Sequence, residues 1–364
     1  MGFAQFHGNR DVIDRLRGML ARDRFPHAVI LAGPEGAGKY TLAQMLARAM
    51  NCLAPPPGEL PDFCGKCKNC VRIAEADDLE ARSTAAVEAR EGLRETDKKD
   101  TRIFVQTHPD VLIIPPDPPQ MMIKVDQVRH VIHSIYFLPG EGRRRVYIFT
   151  TAAFMKEAAN SLLKVLEEPP EFATLLLLAE NPGQLLPTIR SRCVSFHLCA
   201  LAAGEIEGDL ARLHPEWKPA QRALVARLSE GAVGRARSFD LAAYTAARQD
   251  ALLLLNTALH ADDHSALFRA TETYRAGAEG RDKTDQLLRT LYSLLEDLMY
   301  LKSATPELVR NSDIAPELNR LAGSLDFAWI AAAAQRVGEV ESGMRRNLLR
   351  SLSLDAMVAS LEKQ

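Results

Sequence analysis

A short apolar run, a glycine-rich turn and a helical pattern follow one another between residues 28 and 50. The run is Ala28 to Ala32 (AVILA), and the turn is Gly33-Pro34-Glu35-Gly36-Ala37-Gly38-Lys39. Leu42, Met45, Leu46, Ala49 and Met50 then recur at helical spacing. This is the strand–turn–helix context of a P-loop, and no other stretch constrains the fold as tightly. Glycines let backbone N–H groups wrap phosphates, the helix N-terminus adds a favourable dipole, and Lys39 would reach the β- and γ-phosphates.

The surrounding sequence extends the same pattern. Strands are predicted at Val111–Ile114, Val146–Thr150, Thr174–Ala179 and Cys193–His197, all without apolar/polar alternation. Amphipathic helices are predicted around Val12–Leu20, over Val125–Ile135 and over Met155–Glu168, the last stopped by Pro169-Pro170. Non-alternating strands separated by helices imply an α/β fold, with a parallel sheet covered on both faces. From about Leu201 the strand signal vanishes. Helices are expected near Gln221–Leu228, Arg248–His260, Asp282–Leu301, Asp326–Val340 and Met344–Leu361. The 364 residues suit two or three domains. We divide them into an α/β domain over 1–198, a small helical domain over 199–245 and an all-α C-terminal domain over 246–364.

Two parts of a hydrolytic apparatus are missing from the P-loop domain. The Ser or Thr whose hydroxyl would bind Mg²⁺ is replaced by Tyr40, and Thr41 sits one residue late, about 100° further around the helix. The strand Val146–Phe149 should end in an Asp for the metal and a Glu for the attacking water, but it runs into Thr150-Thr151-Ala152-Ala153. Hydroxyls cannot replace those carboxylates. Two readings stay open: a nucleotide bound without turnover, or a relic loop that only shapes the fold.

Cys52, Cys64, Cys67 and Cys70, spaced C-x11-C-x2-C-x2-C with small and polar residues in the turns, match a closed tetrahedral Zn²⁺ site of structural type. Cys193 and Cys199 lie far away and read as ordinary thiols. Clustered cysteines suit a reducing cytoplasm better than a disulfide framework. The N-terminus MGFAQFHGNR has no apolar h-region, and Phe6 stands where a myristoylation motif wants Ser or Thr. The longest apolar runs are too short to span a bilayer. A cytosolic location without membrane contact is expected.

With 45 Lys+Arg against 47 Asp+Glu the formal net charge is −2, which argues against a histone-like nucleic-acid coat. A composition of 47% hydrophobic and 25% charged residues excludes a disordered chain, a collagen and a membrane bundle. The charged insertion over 71–106, densest from Glu75 to Arg102, is expected to be an exposed helix or a mobile insertion, at its plainest a solvated spacer. Arg143-Arg144-Arg145 reads as a solvated loop, with DNA phosphate contact as the alternative. Arg192, in Thr188-Ile189-Arg190-Ser191-Arg192-Cys193, could pair with an acidic neighbour or project into a partner's nucleotide site.

The longer strings carry a family resemblance. Phe25-Pro26-His27-Ala28 precedes the P-loop and the four-cysteine module follows its helix. Then come His108-Pro109-Asp110, Ile123-Lys124-Val125-Asp126-Gln127-Val128-Arg129, Ala159-Asn160-Ser161-Leu162-Leu163-Lys164-Val165-Leu166-Glu167-Glu168-Pro169-Pro170, and Leu186 to Cys193. Together they span nearly all of residues 1–198 and resemble the clamp-loader branch of the AAA+ proteins, as found in bacterial DNA polymerase III. Glu230-Gly231-Ala232-Val233-Gly234-Arg235-Ala236 resembles that family's sensor-2 segment. The C-terminal domain matches only in size and helical character.

The resemblance implies an AAA+ ATPase-like domain, a helical lid and an oligomerisation collar. Motor subunits of the family keep the P-loop hydroxyl and both acidic residues. A stator type degrades them while keeping the arginine of Ser-Arg-Cys, as Tyr40, Thr150, Thr151 and Arg192 do here. Glu180 is a further departure, where motors carry a small polar residue. The implied chain is a non-hydrolysing stator in a hetero-pentamer with gamma/tau motor subunits and a delta subunit. It acts with the sliding clamp and primed DNA, within a DNA-directed DNA polymerase holoenzyme. Arg192 would act in trans on a neighbour's ATP. Gly33, Gly36, Gly38, Lys39 and the sensor-2-like Arg235 would form a degenerate ATP/ADP site without Mg²⁺-dependent hydrolysis. Cys52, Cys64, Cys67 and Cys70 would hold structural Zn²⁺. The alternatives are an active motor ATPase of the gamma/tau type, against which Thr150-Thr151 argue, and a zinc-dependent nucleic-acid module. The latter lacks a basic, aromatic-laced face, with only Phe63, Lys66 and Lys68 near the cysteines.

Overall fold

The computed structural model describes residues 2–260, 263–275, 277–345 and 348–362. The chain divides into two compact units: residues up to Ala202 together with Gly231–Arg235, and Ala203–Glu230 together with the chain from Ala236 onward.

The first unit is built on a six-stranded sheet. Its strands are β1 (Ala28–Ala32), β2 (Val105–His108), β3 (Val111–Ile114), β4 (Arg145–Phe149), β5 (Ala173–Ala179) and β6 (Val194–His197), in the order β2-β3-β4-β5-β1-β6. The P-loop strand β1 is central, parallel to β5 on one side (Ala28 opposite Leu175) and to β6 on the other (Val29 opposite Val194). Its helices are α1 (Arg10–Ala21), α2 (Lys39–Asn51), α3 (Lys68–Ala74), α4 (Leu79–Glu91), α5 (Glu95–Asp100), α6 (Val125–Ser134), α7 (Lys156–Glu167) and α8 (Pro187–Arg190). Val29 and Leu31 pack with Leu16, Leu42 and Leu46 on one face, while Ile30 packs with Val128, Leu162 and Phe149 on the other. All five residues of β1 are buried. That is why the run shows no alternation: both faces are covered.

The sheet departs from the sequence reading at its edge. β2 was not foreseen, and it runs antiparallel to β3 (Val105 opposite Ile113). Only two of its four residues are buried, so its signal was hidden at the end of the charged insertion. That insertion is not a spacer throughout. It contains α4, in which no residue is buried, yet Arg90 of α4 reaches the fully buried carboxylate of Asp117 at 2.7 Å. Asp117 also accepts from Lys124 Nζ at 2.9 Å.

The three arginines at the start of β4 each hold partners within the protein, although Arg143 stays exposed. Arg143 donates to the carbonyls of Met50 (3.2 Å) and Cys52 (3.2 Å), satisfying orphan acceptors at the end of α2. Arg144 pairs with Asp23 at 2.7 Å, and Arg145 donates to the Ser134 carbonyl at 2.8 Å.

The second unit is helical: α9 (Ala203–Leu213), α10 (Pro219–Leu228), the end of α11 (Val233–Arg237), α12 (Leu241–His260), α13 (Ser265–Glu272), α14 (Gly277–Lys302), α15 (Ala315–Ser324), α16 (Phe327–Arg345) and α17 (Arg350–Leu361). Short α9, α13 and α15 were missed by the sequence reading. The single helix expected over 344–361 is instead the end of α16 and all of α17, and residues 346 and 347 lie outside the described residues. Leu255, Leu291, Leu298, Leu318, Val337 and Leu354 form one core across these helices. No helix among the described residues is long and apolar enough to cross a membrane.

Candidate nucleotide pocket and metal centre

The P-loop lies between β1 and α2 at the mouth of a cavity of about 1070 Å³. Gly36 has φ +76°, and a Cβ there would stand 2.8 Å from the Arg235 backbone nitrogen. Only glycine lets the two segments approach so closely. Gly234 N–H closes the approach by donating to the Gly36 carbonyl at 2.8 Å. The sensor-2-like segment is thus docked on the P-loop, and Gly234, rather than Arg235, is its member lining the cavity.

Lys39 Nζ donates to the carbonyls of Gly33 (2.6 Å) and Pro34 (2.7 Å). Burial lowers its pKa, and the carboxylates of Glu180 and Glu35 only partly offset that. A half-buried cation resting on two neutral carbonyls can exchange them for phosphate oxygens. Thr150 and Thr151 line the cavity from the end of β4, and its acidic lining residues are Glu35 and Glu180. Lys156 also lines it, a cation the sequence reading passed over. Thr41, expected to face away, lines the cavity as well.

Tyr40 occupies the position of the metal-binding hydroxyl, but its phenol is committed elsewhere. It donates to the Ala76 carbonyl at 2.5 Å and accepts from Gln44 Nε2 at 2.8 Å. Burial pushes the phenol pKa up, so it stays protonated as a donor.

The four module cysteines converge, their Sγ atoms lying within 4.8 Å of one another. A tetrahedral Zn–S site with bonds of about 2.3 Å has sulfurs about 3.8 Å apart, so the set fits. Backbone amides already point at the sulfurs: Cys64 N–H at Cys52 Sγ (3.3 Å), and Lys66 and Cys67 N–H at Cys64 Sγ (3.4 and 3.2 Å). Such donors favour thiolate. Lys68 and Arg72 of α3 grip Glu141 at 2.9 Å each, and the loop carrying Glu141 is held by Asp110. That carboxylate accepts from Gly140 (2.7 Å), Glu141 (2.8 Å) and Gly142 (2.6 Å) N–H. His108-Pro109-Asp110 therefore serves to fix this loop.

Arg192 lies apart from the pocket. Its side chain is 35% exposed and pairs with Glu167 at 2.7 Å, while Nη1 donates to the Thr188 carbonyl at 2.9 Å. The structure thus brings Gly36, Gly38 and Lys39 together at one cavity and the four cysteines at another centre.

The family model described as DNA polymerase III, delta subunit, matches residues 8–202. A subunit delta' of DNA polymerase III from Pseudomonas aeruginosa is 34% identical over 203 residues, 55% of this chain and 51% of that protein. Subunit tau from Escherichia coli is 30% identical over 241 residues, 65% of this chain and 32% of that protein. This chain thus spans between about a third and a half of these curated relatives. A DNA polymerase III gamma subunit-related protein from Thermotoga maritima aligns at 17% identity and a TM-score of 0.43, covering 96% of this chain and 98% of that one.

Proposed function

The chain belongs to the DNA polymerase III delta-subunit family, and on that footing we propose that it is a non-hydrolysing stator subunit of a clamp loader. The observation that carries the reading is the state of the metal-binding positions. Tyr40 is turned to Ala76, and the end of β4 offers Thr150 and Thr151 where a motor needs carboxylates. In the assembly Arg192 would reach a neighbouring motor's ATP. An ion pair at a half-exposed surface is worth about 0–1 kcal/mol, so Glu167 does not prevent the guanidinium from moving to a phosphate.

The pocket would bind ATP or ADP through Lys39 and the P-loop amides without turnover, with Arg235 beside it. Zn²⁺ held by Cys52, Cys64, Cys67 and Cys70 would brace the segment between α2 and α3, with no open position for chemistry. Residues 199–245 and 246–364 would act as lid and collar, joining gamma/tau-type motors and a delta-type subunit that place the sliding clamp on primed DNA. The second reading, a motor ATPase of the gamma/tau type, is favoured by the intact Gly36, Gly38 and Lys39 and by the likeness to subunit tau.

The test is DNA- and clamp-stimulated ATP hydrolysis by a loader reconstituted from this chain, motor subunits and a delta-type subunit. Arg192→Ala is expected to assemble normally and to cut the stimulated rate at least about tenfold, since a trans arginine is worth about 10³–10⁵ where measured in GTPases. Unchanged assembly and rate would refute the trans role. Mg²⁺-dependent hydrolysis by this chain alone would establish the motor reading.

A further inference from the structure

We infer that Tyr40, Gln44 and Arg48 make the P-loop helix the mount of the cysteine module, so that metal in the module and nucleotide in the P-loop strengthen each other's binding. The inference rests on the zinc and nucleotide readings above and adds a linkage between them.

The three residues recur at i, i+4 and i+8 and form one stripe along α2. Tyr40 and Arg48 meet the module and the turn that follows α3, and Gln44 supports Tyr40 from within the helix. Tyr40 donates to the carbonyl of Ala76, two residues beyond α3, and Gln44 holds the phenol from below. Arg48, only 6% exposed at its side chain, pairs with Asp77, and its guanidinium lies 5.6 Å from the centre of the Phe63 ring. Phe63 is fully buried between Cys52 and Cys64 in sequence. The far end of α2 leads directly to a ligand, because Cys52 is the residue at its C-terminal boundary.

One 13-residue helix therefore carries the phosphate-facing end at Lys39 and a metal ligand at the other. Cys70, another ligand, sits in α3, whose exit at Ala76 returns to Tyr40. Metal and α2 close a loop: Cys52, the ion, Cys70, α3, Ala76, Tyr40, α2. Filling the metal site fixes Ala76, which fixes Tyr40 and the first turn of α2. Filling the P-loop orders the same turn from the other side. Whichever ligand binds first has already met the ordering cost of the shared helix, so the second binds more tightly. Tyr40 is the positioning residue, and its hydroxyl is the part that acts.

The test uses the full chain with Zn²⁺ and ADP as probes. Zinc affinity is measured by equilibrium competition with a chromophoric chelator, with and without saturating ADP. ADP affinity is measured by calorimetry on zinc-loaded and zinc-stripped chain. ADP is expected to tighten zinc binding at least about fivefold, with zinc tightening ADP by the same factor, since binding linkage is reciprocal. Tyr40→Phe, which keeps the ring and removes the donor, is expected to bring both ratios close to one while each ligand still binds. If circular dichroism shows that variant unfolded, Gln44→Leu is read instead, with a lowered ratio expected. Ratios that stay at the wild-type value in the folded variant overturn the linkage. So does a wild-type ratio of one with both ligands bound. A chain that takes up no zinc or no ADP overturns the linkage together with the ligand reading of that site. The stator reading is judged separately, by the reconstituted loader.

Discussion

Asp117→Asn offers the sharpest test of how the charged insertion is held. The Asp117 side chain is fully buried and accepts from Arg90 Nη1 at 2.7 Å and Lys124 Nζ at 2.9 Å. Arg90 belongs to α4, which buries no residue fully but packs half-buried Leu79 on the core, so this ion pair is the polar fastening at its C-terminal end. Asparagine keeps the size and removes the charge, leaving two cations without a counter-ion. Breaking a fully buried pair costs about 3–5 kcal/mol. Here the cation side chains keep 13% and 21% exposure and can turn partly to water, so the expected loss is about 2–3 kcal/mol. Urea unfolding of the variant and wild type measures it, read on the transition of the sheet-bearing unit because two units need not melt together. Trypsin cleavage at Arg82 and Arg90 should accelerate in parallel. Burial pushes the Asp117 carboxyl up, but hydrogen bonds from Lys124 and Arg90 outweigh it and hold its pKa below the ordinary value. A depressed carboxyl pKa stabilises above the unfolded value near 4 and is lost as pH falls through the folded one. Wild type and variant should therefore converge in stability below about pH 4. A loss under about 0.5 kcal/mol, with unchanged cleavage, would refute the assignment of α4's attachment to this pair.

Gly36→Ala places a Cβ 2.8 Å from the Arg235 nitrogen at φ +76°. It should cost about 1–3 kcal/mol and weaken ADP binding, as thermal melting with and without ADP will show. Asp110→Asn exchanges a carboxylate holding three backbone amides for one oxygen and an ill-placed donor. A loss of about 2–4 kcal/mol in urea unfolding is expected. Removing metal by chelation, or replacing Cys70 with Ser, should raise amide hydrogen exchange across residues 52–76 and leave β3, β4 and β5 protected. Lys39→Met should abolish ADP binding measured by calorimetry, without lowering the melting temperature by more than a degree or two, because its present partners are two carbonyls.

Much of this was legible in the sequence because the determinants are local. The P-loop needs a strand, three glycines and a lysine in one stretch, and each physical requirement is visible residue by residue. The stop of α7 follows from Pro169-Pro170, and the four cysteines fall within 19 positions of one another. What was not legible involves partners distant in the chain. β2 is half polar because one of its edges is unpaired, so periodicity could not flag it. Arg143, Arg144 and Arg145 read in sequence as a solvated loop, whereas in the fold Met50, Asp23 and Ser134 take donors from them. Tyr40 is the most instructive case. In sequence it reads as a missing hydroxyl, whereas in the fold it is a strut to Ala76.

By itself the sequence determined the α/β start, the P-loop, the cysteine set and the loss of the metal-binding carboxylates, because each depends on neighbours along the backbone. Only the tertiary structure decided that Lys39 rests on carbonyls, that Gly234 closes on Gly36, that Arg192 pairs with Glu167, and that Arg90 fastens a helix with no fully buried residue. Those outcomes depend on which charges and donors meet across tens of residues. Coulombic and hydrogen-bond energies act through space, and a linear pattern does not record that separation.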